Sequence, residues 1–394
     1  MLESRYDVVV VGAGPGGSTV ARFCAEAGLE VALLEKRQEI GSPKRCAEGL
    51  SADSAKLLGL EIPKKCIAQE IDGAVVFAPN GKSITVDYGK TSGYILERKV
   101  YDKWLAEEAA RSGARVFAKT KVTSVLKSGS SITGVTAEFE GERFEVEASV
   151  TVAADGVESK VSRWAGLDTT NRLVNIDSGY QWEMVGIDIE DPRKIYLYFG
   201  NEIAPRGYVW IFPKGKDKAN VGIGTGLSDR PAKYYLEKFV RERPELRKGS
   251  ITEVNTGGIP VGGFLKNMVL DGFLVVGDAA HQVNPIHGGG MKEAVVAGRI
   301  AASVIAEAVE AGDTSSNRLS KYNELWWKER GEHLRRVERL RQVVEKLSDE
   351  ELNSLVGSLS GDDLVEFSRG AGLKKLASIL MKKPGLVKLA RHLI

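Results

Sequence analysis

Uninterrupted apolar runs mark the beginning of the chain and return near residue 270. The runs Val8–Val11, Val31–Leu34 and Leu274–Val276 contain no polar side chain. Short runs of this kind are typical of strands buried on both faces of a parallel sheet. Since a helix-like stretch around Ala21 separates the first two runs, the pattern predicts a βαβ unit. We therefore expect a Rossmann-like α/β domain assembled from both ends of the chain.

Alternation of apolar and polar residues replaces these runs between about residues 176 and 266. Tyr208, Trp210 and Phe212 are two residues apart and therefore share one face of a strand. Two earlier alternating segments are joined by Asn80-Gly81, which is typical of a tight hairpin turn. The pattern predicts a mostly antiparallel β-sheet substrate domain inserted into the α/β domain. The expected division is 1–72, 94–175 and 268–314 for the α/β domain, 73–93 and 176–267 for the inserted sheet, and 315–394 for a C-terminal helical domain.

The last part of the chain is patterned for helices. Val337, Leu340 and Val344 recur at helical spacing, and Ser348 with Glu351 has the form of a capping box that starts another helix. From residue 371 onward, apolar stripes are accompanied by basic residues without an acidic one. This segment suits an anionic membrane surface, and it equally suits helices packed on the protein with solvated lysines. The stripes are Leu373, Leu376 and Leu380, then Leu386, Leu389 and Leu393, and the cations are Lys374, Lys375, Lys382, Lys383, Lys388 and Arg391.

Composition excludes several classes of protein. The net charge of +2 gives no global basic field, so no nucleic-acid partner is expected. Cys24, Cys46 and Cys66 are too few and too widely spaced for a disulfide framework or a zinc site, so no metal is expected. No apolar run approaches the roughly 20 residues of a membrane span. We expect a protein of the reducing cytoplasm whose membrane contact, if any, is peripheral at the cytoplasmic face.

A glycine-rich turn follows the first apolar run. Gly12 permits the tight turn, Gly14 lets the backbone approach a pyrophosphate, and Gly17 allows close helix packing. The following helix directs its N-terminal N–H groups at the phosphates, and Glu35 ends the next run where a ribose is bound. The residues that this motif assigns to a dinucleotide are Gly12, Gly14, Pro15, Gly16, Gly17, Glu35 and Lys36.

A second glycine-rich motif follows the run near residue 274. Gly277-Asp278 ends that run, and Gly288, Gly289 and Gly290 precede Met291 at the start of a helix. The two motifs together resemble the FAD-binding pattern of the flavoproteins that include aromatic hydroxylases and geranylgeranyl reductases. This resemblance implies FAD as cofactor, with Asp278 at its ribityl chain or pyrophosphate. It also implies that Gly289, Gly290 and Met291 place a helix N-terminus at the pyrimidine edge of the flavin.

Three smaller elements resemble the same flavoproteins. Arg98, just before a helix, matches the arginine that reaches the FAD phosphates, and its alternative role is that of a solvated helix-start residue. Asp155-Gly156 resembles the second fingerprint of the family, although such a pair also serves as a turn or helix cap. The resemblance further implies that the backbone of Val122 lies beside the adenine.

Two segments are more specific. Residues 41–50 are GSPKRCAEGL and residues 205–214 are PRGYVWIFPK, the second containing a YxWxFPK pattern. Here the chain resembles geranylgeranyl reductases, more closely the archaeal digeranylgeranylglycerophospholipid reductases, over most of residues 1–330. The resemblance implies that Cys46 lies near the isoalloxazine of the flavin, and three aromatic rings on one face can line an apolar channel for a prenyl chain. It assigns Cys46, Ala47 and Gly49 to the flavin and Tyr208, Trp210 and Phe212 to the substrate.

The same residues have structural alternatives. The aromatic row is equally compatible with the packed core of a sheet, and Cys46 with a small buried hydrophobic residue. Cys46, Tyr208 and His287 are the candidates for the proton that alkene reduction requires. Lys36, Arg37, Lys44 and Arg45 are expected to form a basic surface near the flavin.

The resemblance implies FAD-dependent reduction of isolated double bonds in 2,3-bis-O-geranylgeranylglycerol phosphate or derived phospholipids. The expected partners are this prenylated glycerolipid and an electron donor, either ferredoxin or a reduced nicotinamide. Two alternatives stay open. One is an FAD-dependent monooxygenase of an aromatic or isoprenoid compound, which shares the FAD pattern, and the other is a non-catalytic flavin-binding interaction or redox-sensing protein.

Overall fold

Residues 3–368, 371 and 373–381 are described by a computed structural model, and they form sheets of eight, seven and three strands. The strands are β1 (Arg5–Val11), β2 (Val31–Leu34), β3 (Gly49–Ser51), β4 (Ile67–Ile71), β5 (Gly73–Phe77), β6 (Ser83–Asp87), β7 (Gly93–Leu96), β8 (Arg115–Phe117), β9 (Lys121–Ser128), β10 (Ser131–Phe139), β11 (Glu142–Ala153), β12 (Ile176–Val185), β13 (Lys194–Phe199), β14 (Tyr208–Pro213), β15 (Lys218–Thr225), β16 (Ser250–Pro260), β17 (Val269–Leu270) and β18 (Phe273–Val275).

Helices lie against both large sheets and form the C-terminal region. Short 3-10 helices occur at 64–66, 173–175 and 277–280, and a π-helical turn occurs at 327–331. The α-helices are α1 (Pro15–Glu26), α2 (Ala52–Lys56), α3 (Arg98–Arg111), α4 (Lys160–Ala165), α5 (Ala232–Arg241), α6 (Pro244–Arg247), α7 (Met291–Glu310), α8 (Ser316–Leu319), α9 (Lys321–Trp326), α10 (Glu332–Val344), α11 (Asp349–Val356), α12 (Gly361–Ser368) and α13 (Leu373–Met381).

The eight-stranded sheet has the order β17-β18-β11-β1-β2-β8, with β10 and β9 continuing from β11. Strands β11, β1, β2 and β8 are parallel neighbours, and β18 is parallel to β11. Val8, Val9 and Val10 are completely buried because helices α1, α3 and α7 lie against this sheet. The predicted Rossmann-like α/β fold, closed by a strand from near residue 274, is confirmed.

Strand β11 is long and takes part in two kinds of strand pairing. It is 12 residues long and belongs to two pairings, antiparallel to β10 along its first half and parallel to β1 along its second. Its first half alternates between exposed and buried residues, whereas Val150 to Ala153 are all buried. One strand therefore extends from a partly solvated meander into the core of the parallel sheet.

The seven-stranded sheet has the order β16-β12-β15-β14-β13-β5-β6. The hairpin β5–β6 joins it beside β13, although more than 100 residues of chain separate the two segments. Its hydrophobic core lies on the face covered by α5, where Val209 and Ile211 of β14 point. The other face of β14 carries Tyr208, Trp210 and Phe212, none of which belongs to that core cluster.

The C-terminal helices begin as the sequence predicts. Val337 and Leu340 of α10 are buried, and Ser348 forms the predicted capping box with Glu351 at the start of α11. Helix α13 spans the first predicted leucine stripe, and Lys375 forms an ion pair with Asp363. The second stripe, at 386–393, lies outside the described residues. None of the helices in the described part of the chain is both long and apolar enough to cross a bilayer.

Candidate active site between the two large sheets

The glycine-rich turn joins β1 to α1 in a close-packed arrangement. Gly12 has a positive φ of 105°, and a Cβ on Gly17 would overlap the carbonyl oxygen of Gly12. A Cβ on Gly14, by contrast, would meet no protein atom within 4 Å. Gly14 is the N-cap of α1, with Pro15 at the first helical position, so the open space lies at a helix N-terminus. This is the arrangement that binds phosphate groups.

Glu35 lies directly beside this turn. Its carboxylate accepts hydrogen bonds from the backbone N–H of Ala13 at 3.0 Å and of Arg37 at 2.9 Å. The backbone carbonyl of Glu35 accepts from the N–H of Thr120 at 2.8 Å, which brings the start of β9 and Val122 to the same edge. The Val122 side chain is buried in the core. Glu35 and the 120–122 segment therefore border the same end of the site.

Arg98 begins α3, and its side chain is largely buried. Its Nε and Nη2 donate to the two carboxylate oxygens of Asp102 at 2.8 and 2.7 Å. Burial opposes the charge, but Asp102 and the nearby Cys46 outweigh it and raise the pKa of Arg98. Burial also raises the pKa of Asp278, and Arg98 acts against this rise, so the two side chains interact electrostatically. The Arg98 Nη1 makes no hydrogen bond within the described ranges and is available to an anion.

Asp155 and Lys36 interact electrostatically at another part of the site. One carboxylate oxygen of Asp155 accepts from the backbone N–H of Val161 at 3.0 Å, while Oδ1 is buried without a partner among the described residues. Burial raises the pKa of Asp155, and Lys36 is among the groups that lower it. Lys36 lies 4.0 Å from Glu158 and is half-exposed. An orphaned buried carboxylate oxygen is the kind of group that a polar ligand satisfies.

The second glycine-rich motif places a helix N-terminus in the site. Gly290 is the N-cap of α7, and a Cβ at this position would lie 2.8 Å from Oδ1 of Asp278. Met291 begins the helix, and Glu293 in its first turn is held by Arg330 through bonds of 2.7 and 2.6 Å. The N–H groups at the start of α7 therefore lie close to Asp278. The N-terminus of a helix carries partial positive charge, so it suits a ligand on which negative charge accumulates.

The aromatic residues of β14 form a continuous row. The ring centroids of Phe199 and Tyr208 are 5.4 Å apart, those of Tyr208 and Trp210 5.8 Å, and those of Trp210 and Phe212 6.5 Å. Gly222 lies opposite Trp210 on β15, and a Cβ there would overlap the indole ring. The row lies away from the core that α5 covers, and although Trp210 is only 6% exposed, Phe199, Tyr208 and Trp210 line one cleft.

Residues 41–50, which we call the Cys46 loop, border this row. Trp210 Nε1 donates to the side-chain oxygen of Gln181 at 2.8 Å, and the Gln181 amide donates to the carbonyl of Cys46 at 3.1 Å. The Phe212 ring packs against Gly49, where a Cβ would lie only 3.0 Å from the ring. Cys46 itself is partly buried, whereas Cys24 and Cys66 are fully buried and burial raises the pKa of Cys66 to about 11. Gln181 was not predicted, since a glutamine in a strand carries no distinguishing signal.

His287 and Tyr208 are joined at the row's other end. The Tyr208 hydroxyl donates to the backbone carbonyl of His287 at 2.7 Å, and burial raises the pKa of Tyr208. The backbone N–H of Gly289 donates to Nδ1 of His287 at 3.1 Å. Desolvation by burial lowers the pKa of the His287 imidazole to about 4. His287 is therefore neutral at neutral pH.

A buried ionic cluster lies behind the Cys46 loop. Glu48 has a positive φ of 76° and a completely buried side chain. One of its carboxylate oxygens accepts from Lys214 at 2.8 Å, from Lys44 at 3.0 Å and from the Asn220 amide at 2.7 Å. The expectation that Lys44 forms a basic surface is wrong, because this side chain is buried between Glu48 and Glu183.

The cluster connects the seven-stranded sheet to the Cys46 loop and to the start of α3. Lys214 also binds Glu97 at 2.8 Å and Glu183 at 3.0 Å. The second carboxylate oxygen of Glu48 accepts from the backbone N–H of Arg98 at 2.7 Å. Burial alone would raise the pKa of Glu48, but Lys214 and Lys44 outweigh it and lower the pKa. Lys214 is the lysine of the YxWxFPK segment, and its buried partners lie too far away along the chain to be predicted from that segment.

A cleft extends from the aromatic row toward the C-terminal helices. Its volume is about 690 Å³ when the space open to solvent is included. One side is apolar, and the far wall carries charged residues from β12 and α10. The aromatic residues that line the cleft include Phe199, Tyr208 and Trp210, and the charged ones include Asp177, Arg206 and Arg341.

The described residues fit FAD. The open space at Gly14, the orphaned oxygen of Asp155, the available Nη1 of Arg98 and the helix start at Gly290 are each features that the polar groups of FAD would use. Gly12, Gly14, Pro15, Gly16 and Gly17 would hold the pyrophosphate, and Glu35 the adenosine ribose. This fold and site define an FAD-dependent oxidoreductase.

Comparison with known proteins agrees with this class. Residues 7–171 match the family of FAD dependent oxidoreductases, and residues 175–259 match the geranylgeranyl reductase catalytic domain. The chain is 43% identical over 398 residues to a digeranylgeranylglycerophospholipid reductase from Methanothrix thermoacetophila, covering 99% of this chain and 100% of the relative. A reductase of the same name from Methanothermobacter thermautotrophicus is 41% identical and 99% of each chain is covered. The chain belongs to the digeranylgeranylglycerophospholipid reductase family.

Solved structures share the fold. A geranylgeranyl bacteriochlorophyll reductase-like protein from Thermoplasma acidophilum superimposes with a TM-score of 0.91 at 37% identity, covering 99% of this chain and all of that one. The flavin-dependent brominase Bmp2 superimposes with a TM-score of 0.72 at 18% identity, covering 99% of this chain and 93% of its own. The second likeness concerns the fold alone.

Proposed function

We propose that the protein reduces the isolated double bonds of geranylgeranyl chains in archaeal glycerolipids, with FAD as cofactor. The observation that carries this proposal is the aromatic row of β14, which lies away from the sheet core and is linked through Gln181 to the Cys46 loop. The family membership gives the lipid class, and the row gives an apolar surface on which a prenyl chain can lie. Membership also disfavours the monooxygenase and non-catalytic alternatives.

FAD, when bound and reduced, supplies the hydride for such a reaction. An isolated alkene has no carbonyl to accept negative charge, so protonation of one carbon runs ahead of hydride transfer, and partial positive charge develops on the other carbon, which is the one that receives the hydride. The faces of Tyr208, Trp210 and Phe212 carry negative electrostatic potential and stabilise a nearby positive centre. The same rings exclude water, which would otherwise trap that centre.

The proton for the second carbon must come from a group that holds it loosely. Tyr208 already donates its hydroxyl proton to the His287 carbonyl, and burial raises its pKa. His287 is neutral near pH 7 because its pKa is lowered to about 4. The Cys46 Sγ, by contrast, only accepts a hydrogen bond, from the N–H of Glu48 at 3.2 Å. We therefore assign the proton to the Cys46 thiol, with solvent restoring it after each reduction, and we assign Tyr208 the role of holding the loop at His287.

The electron donor and the membrane contact are further parts of the proposal. A single glycine-rich dinucleotide motif was found in the sequence, so the reductant docks transiently, as either ferredoxin or a reduced nicotinamide. A peripheral contact with the cytoplasmic membrane face would deliver the lipid. Support comes from Leu173 and Leu227, which are 76% and 62% exposed and line one groove beside Arg230. Vesicle binding by a Leu173→Asp, Leu227→Asp variant, compared with deletion of residues 372–394, separates this groove from the C-terminal helices.

The proposal is tested by product analysis. Purified protein is supplied with a chemical reductant and digeranylgeranylglycerol phosphate, and the lipid mass is followed with and without oxygen. A gain of two hydrogens per double bond, unaffected by removing oxygen, is the expected result. Incorporation of an oxygen atom would instead indicate a monooxygenase, and an unchanged lipid would reject the proposed substrate.

A further inference from the structure

The far wall of the cleft has an unusual polar composition. Asp177 from β12, Arg206 from the turn before β14, and Arg341 and Glu345 from the end of α10 all line it. Asp177 and Arg341 are only 8% and 4% exposed. Buried ionisable groups are costly unless they are paired, so their arrangement in an otherwise apolar cleft calls for a physical reason.

The pairing in this wall is incomplete. Glu345 accepts from Arg341 Nη1 at 2.5 Å and from Arg206 Nη2 at 2.8 Å, so one carboxylate serves both guanidinium groups. Arg341 Nε and Asp177 Oδ1 are buried and have no hydrogen-bond partner in the described part of the chain. A donor and an acceptor from two different elements are therefore both unsatisfied at the same wall.

We infer that Arg341, Arg206 and Asp177 form a subsite for the phosphate-bearing head group of the lipid substrate. The inference rests on the proposed function and extends it from the prenyl chain to the polar end of the molecule. Two guanidinium groups that share one carboxylate retain net positive charge and free N–H donors, which suit phosphate oxygens. Asp177 accepts a hydrogen bond from a protonated phosphate oxygen or from a donor on a larger head group.

The position of the subsite agrees with this assignment. Tyr208 lines the same cleft and interacts electrostatically with Asp177, so the polar wall adjoins the aromatic row. A lipid with its phosphate at Arg341 would lay its first prenyl units against Tyr208 and Trp210. The polar wall would then distinguish a phosphorylated glycerolipid from a free prenyl alcohol.

Protonation supports the same arrangement. Burial raises the pKa of Asp177 to about 6. Glu345 adds to this rise, whereas Arg341 and Arg206 oppose it. These residues and Tyr208 are the charged or titratable groups found to act on it. Below that pH a neutral Asp177 leaves the wall net positive, and above it the carboxylate repels an anion. Binding of a phosphate should therefore weaken as the pH rises through about 6.

The test compares two lipids that differ only in the phosphate, digeranylgeranylglycerol phosphate and digeranylgeranylglycerol, by equilibrium binding in detergent micelles. Arg341→Gln should raise the Kd of the phosphorylated lipid by about tenfold or more, as expected for a lost charge-assisted hydrogen bond, and leave the neutral lipid unchanged. Arg335→Gln is the matched control, because Arg335 lies on the same helix, is half-exposed and pairs with Glu332 at 2.5 Å. Asp177→Asn should bind the phosphorylated lipid more tightly than wild type at pH 7.5. In this variant the affinity for the phosphorylated lipid should no longer weaken as the pH rises through about 6.

Several outcomes overturn the inference. Equal weakening of both lipids by Arg341→Gln would indicate a structural role, and no change for either lipid would remove the subsite. Inorganic phosphate that competes as well as the phosphorylated lipid would assign the wall to a free anion. If Arg341→Gln does not fold, Arg341→Lys tests the same selective weakening, and Asp177→Asn tests the opposite change, a selective tightening for the phosphorylated lipid at pH 7.5. Because binding is measured without turnover, a wild-type protein that binds both lipids and reduces neither would reject the proposed function separately.

Discussion

The backbone N–H of Glu48 donates a hydrogen bond to the Cys46 sulfur at 3.2 Å. Glu48 holds this N–H in place from a left-handed backbone conformation, which a residue with a side chain adopts only at a cost. Its carboxylate offsets that cost through Lys44, Lys214, Asn220 and the N–H of Arg98. The thiol beside the aromatic row is therefore positioned by a cluster that joins the Cys46 loop to the seven-stranded sheet and to the start of α3.

The first prediction concerns the thiol. Cys46→Ser keeps the size of the side chain and replaces the thiol by a much weaker acid, so kcat should fall by about a hundredfold or more, as for loss of a general acid. FAD content should remain that of wild type, because the Cys46 side chain donates no hydrogen bond to the described residues. Single-turnover kinetics and flavin absorbance measure the two quantities. Unchanged kcat would remove Cys46 from proton transfer.

The second prediction concerns the ionic cluster. Glu48→Gln leaves Lys44 and Lys214 with fewer carboxylates in a buried site, and should lower the free energy of unfolding by about 3–5 kcal/mol. Glu140→Gln is the control, because its pair with Lys119 at 3.0 Å is half-exposed and contributes about 1 kcal/mol or less. Urea unfolding measures both variants. Equal effects of the two substitutions would contradict the importance of the cluster.

The third prediction is the pH dependence of that stability. The pKa of Glu48 is lowered in the folded protein from its ordinary value of 4.5, so folding favours the ionised form. The contribution is complete above the unfolded pKa of 4.5 and is lost as the pH falls toward the lower folded pKa. The stability difference between wild type and Glu48→Gln should therefore shrink in acid. A difference that stays constant from pH 7 to about 3 would argue against a lowered pKa.

The fourth prediction separates cofactor binding from folding. Gly17→Ala forces a Cβ onto the Gly12 carbonyl and should lower both stability and FAD content. Gly14→Ala adds a methyl group where no protein atom lies within 4 Å, so it should lower FAD content while leaving the unfolding of the FAD-free protein unchanged. Flavin absorbance per protein and urea unfolding without FAD distinguish the two variants. Wild-type FAD content in Gly14→Ala would contradict the placement of the pyrophosphate.

The fifth prediction concerns the aromatic row. Trp210→Leu removes the ring that faces the developing positive charge and should lower kcat by about tenfold, which corresponds to a cation–π contribution of about 1.4 kcal/mol. Trp210→Phe keeps an aromatic face but loses the bond to Gln181, so it should retain more activity than Trp210→Leu. Rapid-reaction kinetics of lipid reduction give the comparison. Equal losses in both variants would assign Trp210 a packing role.

Local pattern predicted much of the fold and part of the site. The apolar runs around Val8–Val11 and the glycines at 12, 14 and 17 act through nearest neighbours, so their structure follows from sequence. The alternation at Tyr208, Trp210 and Phe212 placed these rings on one face for the same reason. Long-range pairing was not predictable. Lys44 looks solvated in its segment, yet its partner Glu183 lies 139 residues away on β12.

The polar wall of the cleft could not be predicted from the sequence either. Asp177 and Arg341 belong to separate segments, and nothing in either segment indicates burial of an ionisable group. Only the fold brings β12 and α10 to one cleft. Whether Asp177 Oδ1 and Arg341 Nε have hydrogen-bond partners depends on side chains from distant segments, so their unsatisfied state follows only from the folded structure.

The central claim is most directly tested by stoichiometry. The protein is reduced with dithionite without oxygen, freed of excess reductant and mixed with digeranylgeranylglycerol phosphate, while flavin absorbance and lipid mass are followed together. One saturated double bond per flavin reoxidised is the predicted result. Flavin that stays reduced until oxygen is admitted, with the lipid mass unchanged, would contradict the account.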